Sequence, residues 1–270
     1  MITQEILEDY YRDGAICLRG VFEPRWVEAA RKGIQQTMEN PGPHSERLQG
    51  SSGAAYFNDY CNWRQIPEFV DYVYKSPAAE IVGQLMQSKW AAFYHEHVLV
   101  KDPGAGRETP WHHDQAYYPI DGFKVCSIWM PVDPVGEETS IQFVAGSHRW
   151  GKWFYPRKFA TLKNYVVGES RLDHDYEDVP VQDIDGGKHR ILKWAVQPGD
   201  CIVFHMRTLH GAPGNVSQSV SRRVLSTRWL GDDAVMAKRA WDVSPPTMGG
   251  LQPGDTAVSE EFPIIWRREA

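Results

Sequence analysis

Two histidines and one aspartate have the residue types and spacing of metal ligands. His112 and Asp114 are separated by one residue inside a run that alternates like a β-strand, and His210 follows another apolar run much later in the chain. Because successive side chains of a strand point to opposite faces, His112 and Asp114 share a face and can bind one ion. Two histidines and one carboxylate on one side of a metal leave its other positions free for small molecules, an arrangement typical of non-heme Fe(II) oxygenases.

An arginine in the strand after His210 could bind a carboxylate beside this metal. Arg222 lies in the run from Ser221 to Trp229. Its planar guanidinium can hold a carboxylate through two parallel hydrogen bonds, which lysine cannot reproduce. We therefore expect Arg222 to bind the far carboxylate of a 2-oxo acid that chelates the metal. Strand alternation directs the adjacent Arg223 to the opposite face.

Several short motifs accompany these residues. They are HEHVLVK at 95–101, TPWHHDQ at 109–115, SIW at 127–129, FVAGSH at 143–148, PGD at 198–200, HGA at 210–212 and RRVLS at 222–226. Together they resemble the phytanoyl-CoA dioxygenase family, from the N-terminal helix to about Trp229. The set is specific, although each motif alone is not.

The resemblance implies an Fe(II)- and 2-oxoglutarate-dependent dioxygenase on a double-stranded β-helix, with O2 as the second co-substrate. The residues that it assigns are the iron ligands His112, Asp114 and His210, the 2-oxoglutarate anchor Arg222, and the co-substrate contacts His97 and Trp129. The chain departs from the family pattern at His113, where glutamine is usual, and at Thr139-Ser140, where a glycine-containing turn is common. Neither departure removes a ligand, so they bear on substrate contacts more than on the chemistry.

Two other classes of protein could use the same ligands. A zinc or other divalent-metal hydrolase also has three protein ligands and an open position, but Arg222 would have no task in it. A non-catalytic, metal-binding jelly-roll protein would use a structural metal, which usually has four protein ligands, and the sequence offers three.

In related halogenating iron enzymes a halide takes the place of the carboxylate, so Asp114 favours hydroxylation of a C–H bond, with release of succinate and CO2.

The remaining histidines are assigned by their positions in the predicted strands. Alternation places His95, His97 and Lys101 on one face of the strand 90–101, which we expect to line the co-substrate pocket. It directs His113 away from the two ligands beside it. We expect His148 and His205 to have structural roles.

Alternation and turn residues predict a mainly β chain. Helices are predicted over 3–14, 24–38, 66–74 and 77–86, and strands over 15–21, 90–101, 111–118, 125–131, 141–144, 191–196, 201–205 and 224–230. We expect a double-stranded β-helix (jelly roll, cupin-like) with flanking N-terminal α-helices. Residues 1–270 would form one domain, with a helical layer over about 1–89, a β-helix core over about 90–230 and a C-terminal wrap over about 231–270.

Substrate contacts are expected where this core borders the metal. Tyr118 lies on the face of Asp114 if residues 111–118 form a strand. Three further segments are candidates for covering the site: a mobile surface loop at 44–53, the segment 56–59 with Phe57, and the polar stretch 153–190. Tyr118 and Phe57 are the residues that we expect to contact the substrate.

Composition limits the partners. The formal net charge of −6 argues against nucleic acid, which requires a clustered basic surface, and against an anionic membrane. The four cysteines form no C-x-x-C pair, which fits a reducing compartment, and the first residues have no secretory signal pattern. We expect a cytoplasmic enzyme for a small organic substrate. The oligomeric state stays open, with a monomer plausible.

Overall fold

The first helix begins and ends at residues suited to helix ends. The computed structural model describes residues 2–50, 53–167 and 172–269. The Thr3 hydroxyl accepts a hydrogen bond from the Ile6 backbone N–H, and the first helix ends at Gly14, which has a φ of 77°, as is common at helix termini. The helices are α1 (Gln4–Asp13), α2 (Pro24–Glu39), α3 (Pro67–Lys75), α4 (Ala78–Leu85) and the short α5 (Val181–Asp185).

The strands form two main antiparallel sheets. In chain order they are β1 (Ala15–Leu18), β2 (Glu46–Gln49), β3 (Ala55–Tyr60), β4 (Trp90–Lys101), β5 (Thr109–His112), β6 (Ile120–Asp121), β7 (Val125–Pro131), β8 (Gln142–Val144), β9 (Trp153–Phe154), β10 (Tyr176–Glu177), β11 (Ile191–Leu192), β12 (Cys201–His205), β13 (His210–Ala212), β14 (Arg222–Leu230), β15 (Val235–Met236) and β16 (Ile264–Arg267). The larger sheet has the order β1-β12-β7-β14-β4-β3-β2, with β16 also paired to β4, and the smaller sheet has the order β11-β8-β13-β5. Two facing antiparallel sheets with helices at the N-terminal side confirm the predicted jelly-roll fold.

The main hydrophobic core lies between the larger sheet and the helices. Ile34 of α2, Phe69 of α3 and Trp229 of β14 are buried there. Gly33 allows α2 and α3 to approach closely, because a Cβ at this position would lie 2.2 Å from the Phe69 ring. Burying side chains of this size contributes about 1.5–3 kcal/mol each, so this layer holds one face of the sheet rigid while the other face is free to form a site.

Three segments differ from their predicted structure. Residues 111–118 do not form one strand, because β5 ends at His112 and Asp114–Tyr117 form a 3-10 turn. The predicted mobile loop 44–53 contains β2, which pairs with β3, and residues 51 and 52 lie outside the described residues. The C-terminal segment, where no strand is predicted, contains β15 and β16, and β16 pairs with β4.

In the described part of the chain, no helix combines the length and the apolar character needed to cross a membrane.

Candidate metal centre and adjoining cavity

The three predicted metal ligands converge on one point. His112 of β5 and His210 of β13 are directly opposite each other in the antiparallel register of the smaller sheet, and their ring centroids are 4.2 Å apart. The Asp114 Oδ1 atom is 3.5 Å from the Nε2 atom of each histidine. All three side chains are buried. The intervening His113 has an extended backbone (φ −121°, ψ 141°), so His112 and Asp114 lie on the same side of the chain, and a 3-10 turn begins at Asp114.

Both imidazoles are oriented to bind a metal through Nε2. The His112 Nδ1 atom is 2.7 Å from the carbonyl oxygen of Pro110, and the His210 Nδ1 atom is 2.9 Å from that of Thr208. A carbonyl at Nδ1 fixes the proton there and leaves the Nε2 lone pair free. Burial, followed by the neighbouring His112, lowers the pKa of His210 to about 3, so its imidazole is neutral at ordinary pH. The donor set therefore fits a divalent iron ion.

The second oxygen of Asp114 is held by the larger sheet. Its Oδ2 atom accepts hydrogen bonds from Ser127 Oγ at 3.0 Å and from Arg228 Nη2 at 3.3 Å. Burial by itself would raise the pKa of Asp114, but Arg228 and the two neighbouring histidines hold it well below its usual range. The sequence analysis did not identify Arg228. Its signal was present, because positions 222, 224, 226 and 228 alternate to one face of a strand.

A cavity of about 490 Å³ adjoins the metal ligands. Its floor is the inner face of the larger sheet, where residues of four strands form rows across the register: Tyr60, His97, Ser226 and Trp129; Asn58, Leu99 and Val224; and Tyr56, Lys101 and Arg222. The predicted inward positions 95, 97 and 101 all line the cavity. The alternation of β4 therefore matches the prediction.

Two basic side chains lie at one end of this cavity. Arg222 is 6% exposed, and its Nη1 atom donates to the carbonyl oxygens of Thr139 and Pro213. Lys101 Nζ donates to the same Pro213 carbonyl at 3.0 Å. Burial lowers the pKa of Arg222 to about 10, which leaves it charged at neutral pH. Arg223 points to the other face and pairs with Asp133 at 2.6 Å, so strand alternation assigned the two arginines to the faces on which they lie.

His97 and Trp129 also line the cavity. The His97 Nε2 atom is 3.3 Å from Asn58 Oδ1, and burial, then Arg228, lower the pKa of His97 to about 3. The ring is thus a neutral hydrogen-bonding group. Trp129 is 3% exposed and belongs to a core cluster that includes Phe143 and Phe204, so it contributes packing as well as cavity surface.

The histidines assigned to structural roles lie away from the point on which His112, Asp114 and His210 converge. His113 Nε2 accepts a hydrogen bond from the backbone N–H of Phe154. His148 and His205 are each within hydrogen-bond distance of a backbone carbonyl. These contacts support the predicted structural roles.

The two predicted substrate residues have different positions. Tyr118 lines the cavity, and its hydroxyl oxygen accepts a hydrogen bond from Arg228 Nε at 3.0 Å. The prediction for Phe57 is wrong, because Phe57 is 5% exposed and packs in the core between the larger sheet and the helices. It lies on β3, and the alternate residues Tyr56, Asn58 and Tyr60 face the cavity instead.

A segment of the predicted lid forms the opposite wall. Arg157, Lys158, Phe159 and Tyr165 line the cavity. The Phe159 ring centroid is 4.9 Å from that of His112, and the Tyr165 centroid is 5.5 Å from that of Tyr117. Residues 168–171 of the predicted 153–190 lid lie outside the described residues. The aromatic wall next to His112 is where a substrate would meet the metal.

A second group of potential metal-binding side chains, Asp121, Asp173 and His174, lies beside a guanidinium. The buried Arg239 guanidinium pairs with both aspartates. The Arg239 guanidinium thus occupies the position between these carboxylates. Among the described residues, the group of His112, Asp114 and His210 alone is fully buried and leaves the space between its ligand atoms open.

Comparisons with known proteins support one class. A model of the phytanoyl-CoA dioxygenase (PhyH) family matches residues 10–224. The multifunctional dioxygenase prhA of Penicillium brasilianum is 24% identical over 237 residues, which are 83% of this chain and 71% of that protein. The non-heme alpha-ketoglutarate-dependent carbocyclase SnoK from nogalamycin biosynthesis has a TM-score of 0.74 at 22% identity, covering 98% of this chain and 96% of SnoK. EctD from S. alaskensis, solved with 2-oxoglutarate and 5-hydroxyectoine, has a TM-score of 0.70 at 16% identity, covering 96% of this chain and 86% of EctD.

The jelly roll and the His-Asp-His group, together with the family match, define a non-heme iron oxygenase that depends on 2-oxoglutarate. This confirms the predicted enzyme class, with Fe(II), 2-oxoglutarate and O2 as cofactor and co-substrates. The family model covers most of the chain, which belongs to the phytanoyl-CoA dioxygenase family. The family assignment also favours the oxygenase over the hydrolase and the non-catalytic binding protein.

Proposed function

We propose that this protein oxidises a C–H bond of a small organic molecule, with hydroxylation as the usual outcome, and that iron is held by His112, Asp114 and His210. The observation that carries the proposal is the convergence of these three donors in the cavity that also contains the Arg222 guanidinium. When bound, iron with 2-oxoglutarate and O2 supplies the oxidant, and succinate and CO2 are released as one oxygen atom enters the product.

The described residues support a co-substrate site between the triad and Arg222. In the described residues, the hydrogen bonds of Arg222 use only its Nη1 atom, so its Nε and Nη2 atoms are available for a carboxylate. Two parallel hydrogen bonds of this kind match the fork of a guanidinium. His97 and Trp129 lie two rows of the floor away from Arg222, with the row of Leu99 and Val224 between them. We assign both to the co-substrate pocket.

The cavity supports a compact substrate with an apolar or ring-bearing part. Pockets of about 300–1,000 Å³ are usual for small molecules, and 2-oxoglutarate uses part of the 490 Å³ available here. Tyr117, Phe159 and Tyr165 surround the approach to His112. We propose that these rings and Tyr118 position the C–H bond and exclude water, which places one reacting group close to the metal.

The setting of the enzyme is proposed from the same residues. The triad and Arg222 come from a single chain, which supports the proposal of a monomer. The four cysteines are free thiols, which fits a reducing cytoplasm.

One experiment tests the oxygenase function. Anaerobic addition of Fe(II) and 2-oxoglutarate to the purified protein should give a weak visible charge-transfer band, and admission of O2 should then release succinate even without substrate. Succinate is measured instead of a hydroxylated product because relatives such as SnoK are named for other outcomes. A folded, iron-loaded protein that gives neither the band nor succinate would contradict the proposal. A screen of small ring-bearing compounds for faster succinate release would then identify the substrate.

A further inference from the structure

The two oxygens of the Asp114 carboxylate have different surroundings. Oδ1 faces both imidazole Nε2 atoms at 3.5 Å. Oδ2 is turned away from them and accepts hydrogen bonds from Ser127 and Arg228. A carboxylate oxygen with two such donors has little freedom to rotate toward a metal, because rotation would break both hydrogen bonds at once.

The guanidinium that holds Oδ2 is itself fixed. Arg228 has a side chain 6% exposed, and besides Asp114 it donates to the Tyr118 hydroxyl through Nε at 3.0 Å and to the Ser226 carbonyl through Nη1 at 3.1 Å. Its three nitrogen atoms thus have three different acceptors. Tyr118 and the Ser226 backbone set the plane of the guanidinium, so the direction of the hydrogen bond to Asp114 is set as well.

The two donors are also rigidly placed relative to each other. Arg228 of β14 and Ser127 of β7 are partners in the antiparallel register of the larger sheet. Both strands lie in the interior of that sheet, between β12 and β4, where neighbouring strands satisfy the backbone on both sides. Side chains on such strands hold a geometry better than side chains on loops.

We propose that Arg228 and Ser127 are positioning residues that restrict Asp114 to binding the metal through one oxygen. The inference rests on the proposed function and extends it. Carboxylates bind metals through one oxygen or both. An octahedral ion with two imidazoles, one carboxylate oxygen and a chelating 2-oxo acid keeps one position free, and a second carboxylate oxygen would fill that position. The hydrogen bonds to Oδ2 therefore keep the site able to accept a further small molecule.

The test uses substitutions that keep the charge near the metal unchanged. Replacing Arg228 by a neutral residue would remove a positive charge, which by itself strengthens the attraction for a cation and would mask lost orientation. Arg228→Lys keeps the charge but replaces the guanidinium, which donates to Asp114, Tyr118 and Ser226, with a single ammonium group. Ser127→Ala removes only a hydroxyl. The probe is Co(II) alone, added to the whole metal-free protein, with its dissociation constant and its visible absorption spectrum as readouts. The matched control is Arg223→Lys, which lies five residues before Arg228 in β14 on the opposite face and whose partner is Asp133.

The expected result is a loss of Co(II) affinity of about 10-fold or more for Arg228→Lys and for Ser127→Ala, as for other residues that orient a metal ligand. The visible spectrum should also change, because Co(II) absorption reports coordination number. The control should match the wild type in both readouts. If Arg228→Lys does not fold, as judged by circular dichroism and thermal melting, Ser127→Ala decides the matter through its spectrum.

Two outcomes would overturn the inference. Wild-type affinity and an unchanged spectrum in both folded variants would contradict it while leaving the oxygenase function intact, provided that wild-type protein shows the charge-transfer band with iron and 2-oxoglutarate. A wild-type protein that binds neither Co(II) nor Fe(II) would contradict the proposed function as well. The two failures are therefore distinguishable.

Discussion

The substitution Arg222→Lys gives the most direct measure of the proposed co-substrate site. The wild-type guanidinium uses Nη1 to bind the carbonyls of Thr139 and Pro213, which orients Nε and Nη2 for a carboxylate. Lysine keeps the positive charge but replaces the fork with a single ammonium group. A hydrogen bond between charged groups contributes about 1.5–3 kcal/mol. At 1.4 kcal/mol per factor of ten, losing one of the pair should raise the KM for 2-oxoglutarate about 10- to 100-fold.

The assay is the initial rate of succinate release as a function of 2-oxoglutarate concentration, at saturating Fe(II) and O2. Arg223→Lys serves as the matched control, because Arg223 is adjacent in sequence, is also paired to an oxygen acceptor and lies outside the cavity. We expect the KM of Arg223→Lys for 2-oxoglutarate to stay within about twofold of the wild type, since the partly exposed ion pair of Arg223 with Asp133 contributes little. A large rise in the KM for 2-oxoglutarate in Arg223→Lys, together with no rise in Arg222→Lys, would refute the assignment of Arg222 to the cavity face of β14. It would also refute the proposed co-substrate site.

Three further predictions address the metal, the core and the pH dependence of stability. Asp114→Asn should abolish the charge-transfer band with Fe(II) and 2-oxoglutarate, because the anionic ligand is lost; a wild-type band in this variant would contradict the triad. Phe57→Ala should lower the free energy of unfolding by about 3–5 kcal/mol, the usual cost of truncating a buried Phe, while the folded variant keeps its KM for 2-oxoglutarate; a raised KM would return Phe57 to the site. Burial raises the pKa of Glu96 from 4.5 to about 8, so across this interval the folded protein binds a proton that the unfolded chain has released. Wild-type stability should therefore fall with rising pH by up to about 1.4 kcal/mol per pH unit, and Glu96→Gln, measured by urea denaturation across pH 5–8, should remove that fall.

The sequence predicted the central strands well because they are short runs rich in apolar residues, buried almost throughout, which is a strong strand signal when turn residues border them. The observed bounds of β4, β7 and β12 agree with the predicted 90–101, 125–131 and 201–205. Each of these strands has one face toward a core and the other toward the cavity, which is the condition under which alternation is informative. The same reasoning separated Arg222 from Arg223.

The local structure around the metal was harder to predict. The residues after His112 are HDQAYY, and the backbone turns from Asp114 onward instead of continuing as a strand. A turn this short has no period that distinguishes it from a strand. Strand β2 has the polar sequence ERLQ, with mostly exposed residues at the sheet edge, so it lacks the apolar signal on which strand prediction depends. Phe57 was misplaced for a related reason, since an aromatic residue alone does not show which face of β3 is buried.

Arg228 shows a different limit of prediction from one sequence. Its position on β14 follows from alternation, but its contacts with Asp114 and Tyr118 join strands and turns that are far apart in the chain. No local pattern reports such a contact. Arginine also occurs at several neighbouring positions, so only the three-dimensional arrangement separates the guanidinium beside the metal ligand from the one that pairs with Asp133.

The division of the site between the two sheets makes the stability of the protein depend on its own reactants. The histidines belong to the smaller sheet, whereas Arg222 belongs to the larger one. In the proposed site, a 2-oxo acid bound between the metal and Arg222 would join the two sheets, and this connection would be lost when succinate departs. Ligands that bind only the folded protein raise its free energy of unfolding in proportion to the logarithm of their concentration. Amide hydrogen exchange in β5 and β13 should consequently slow as iron and 2-oxoglutarate become abundant, so that the lifetime of the folded enzyme follows the supply of both.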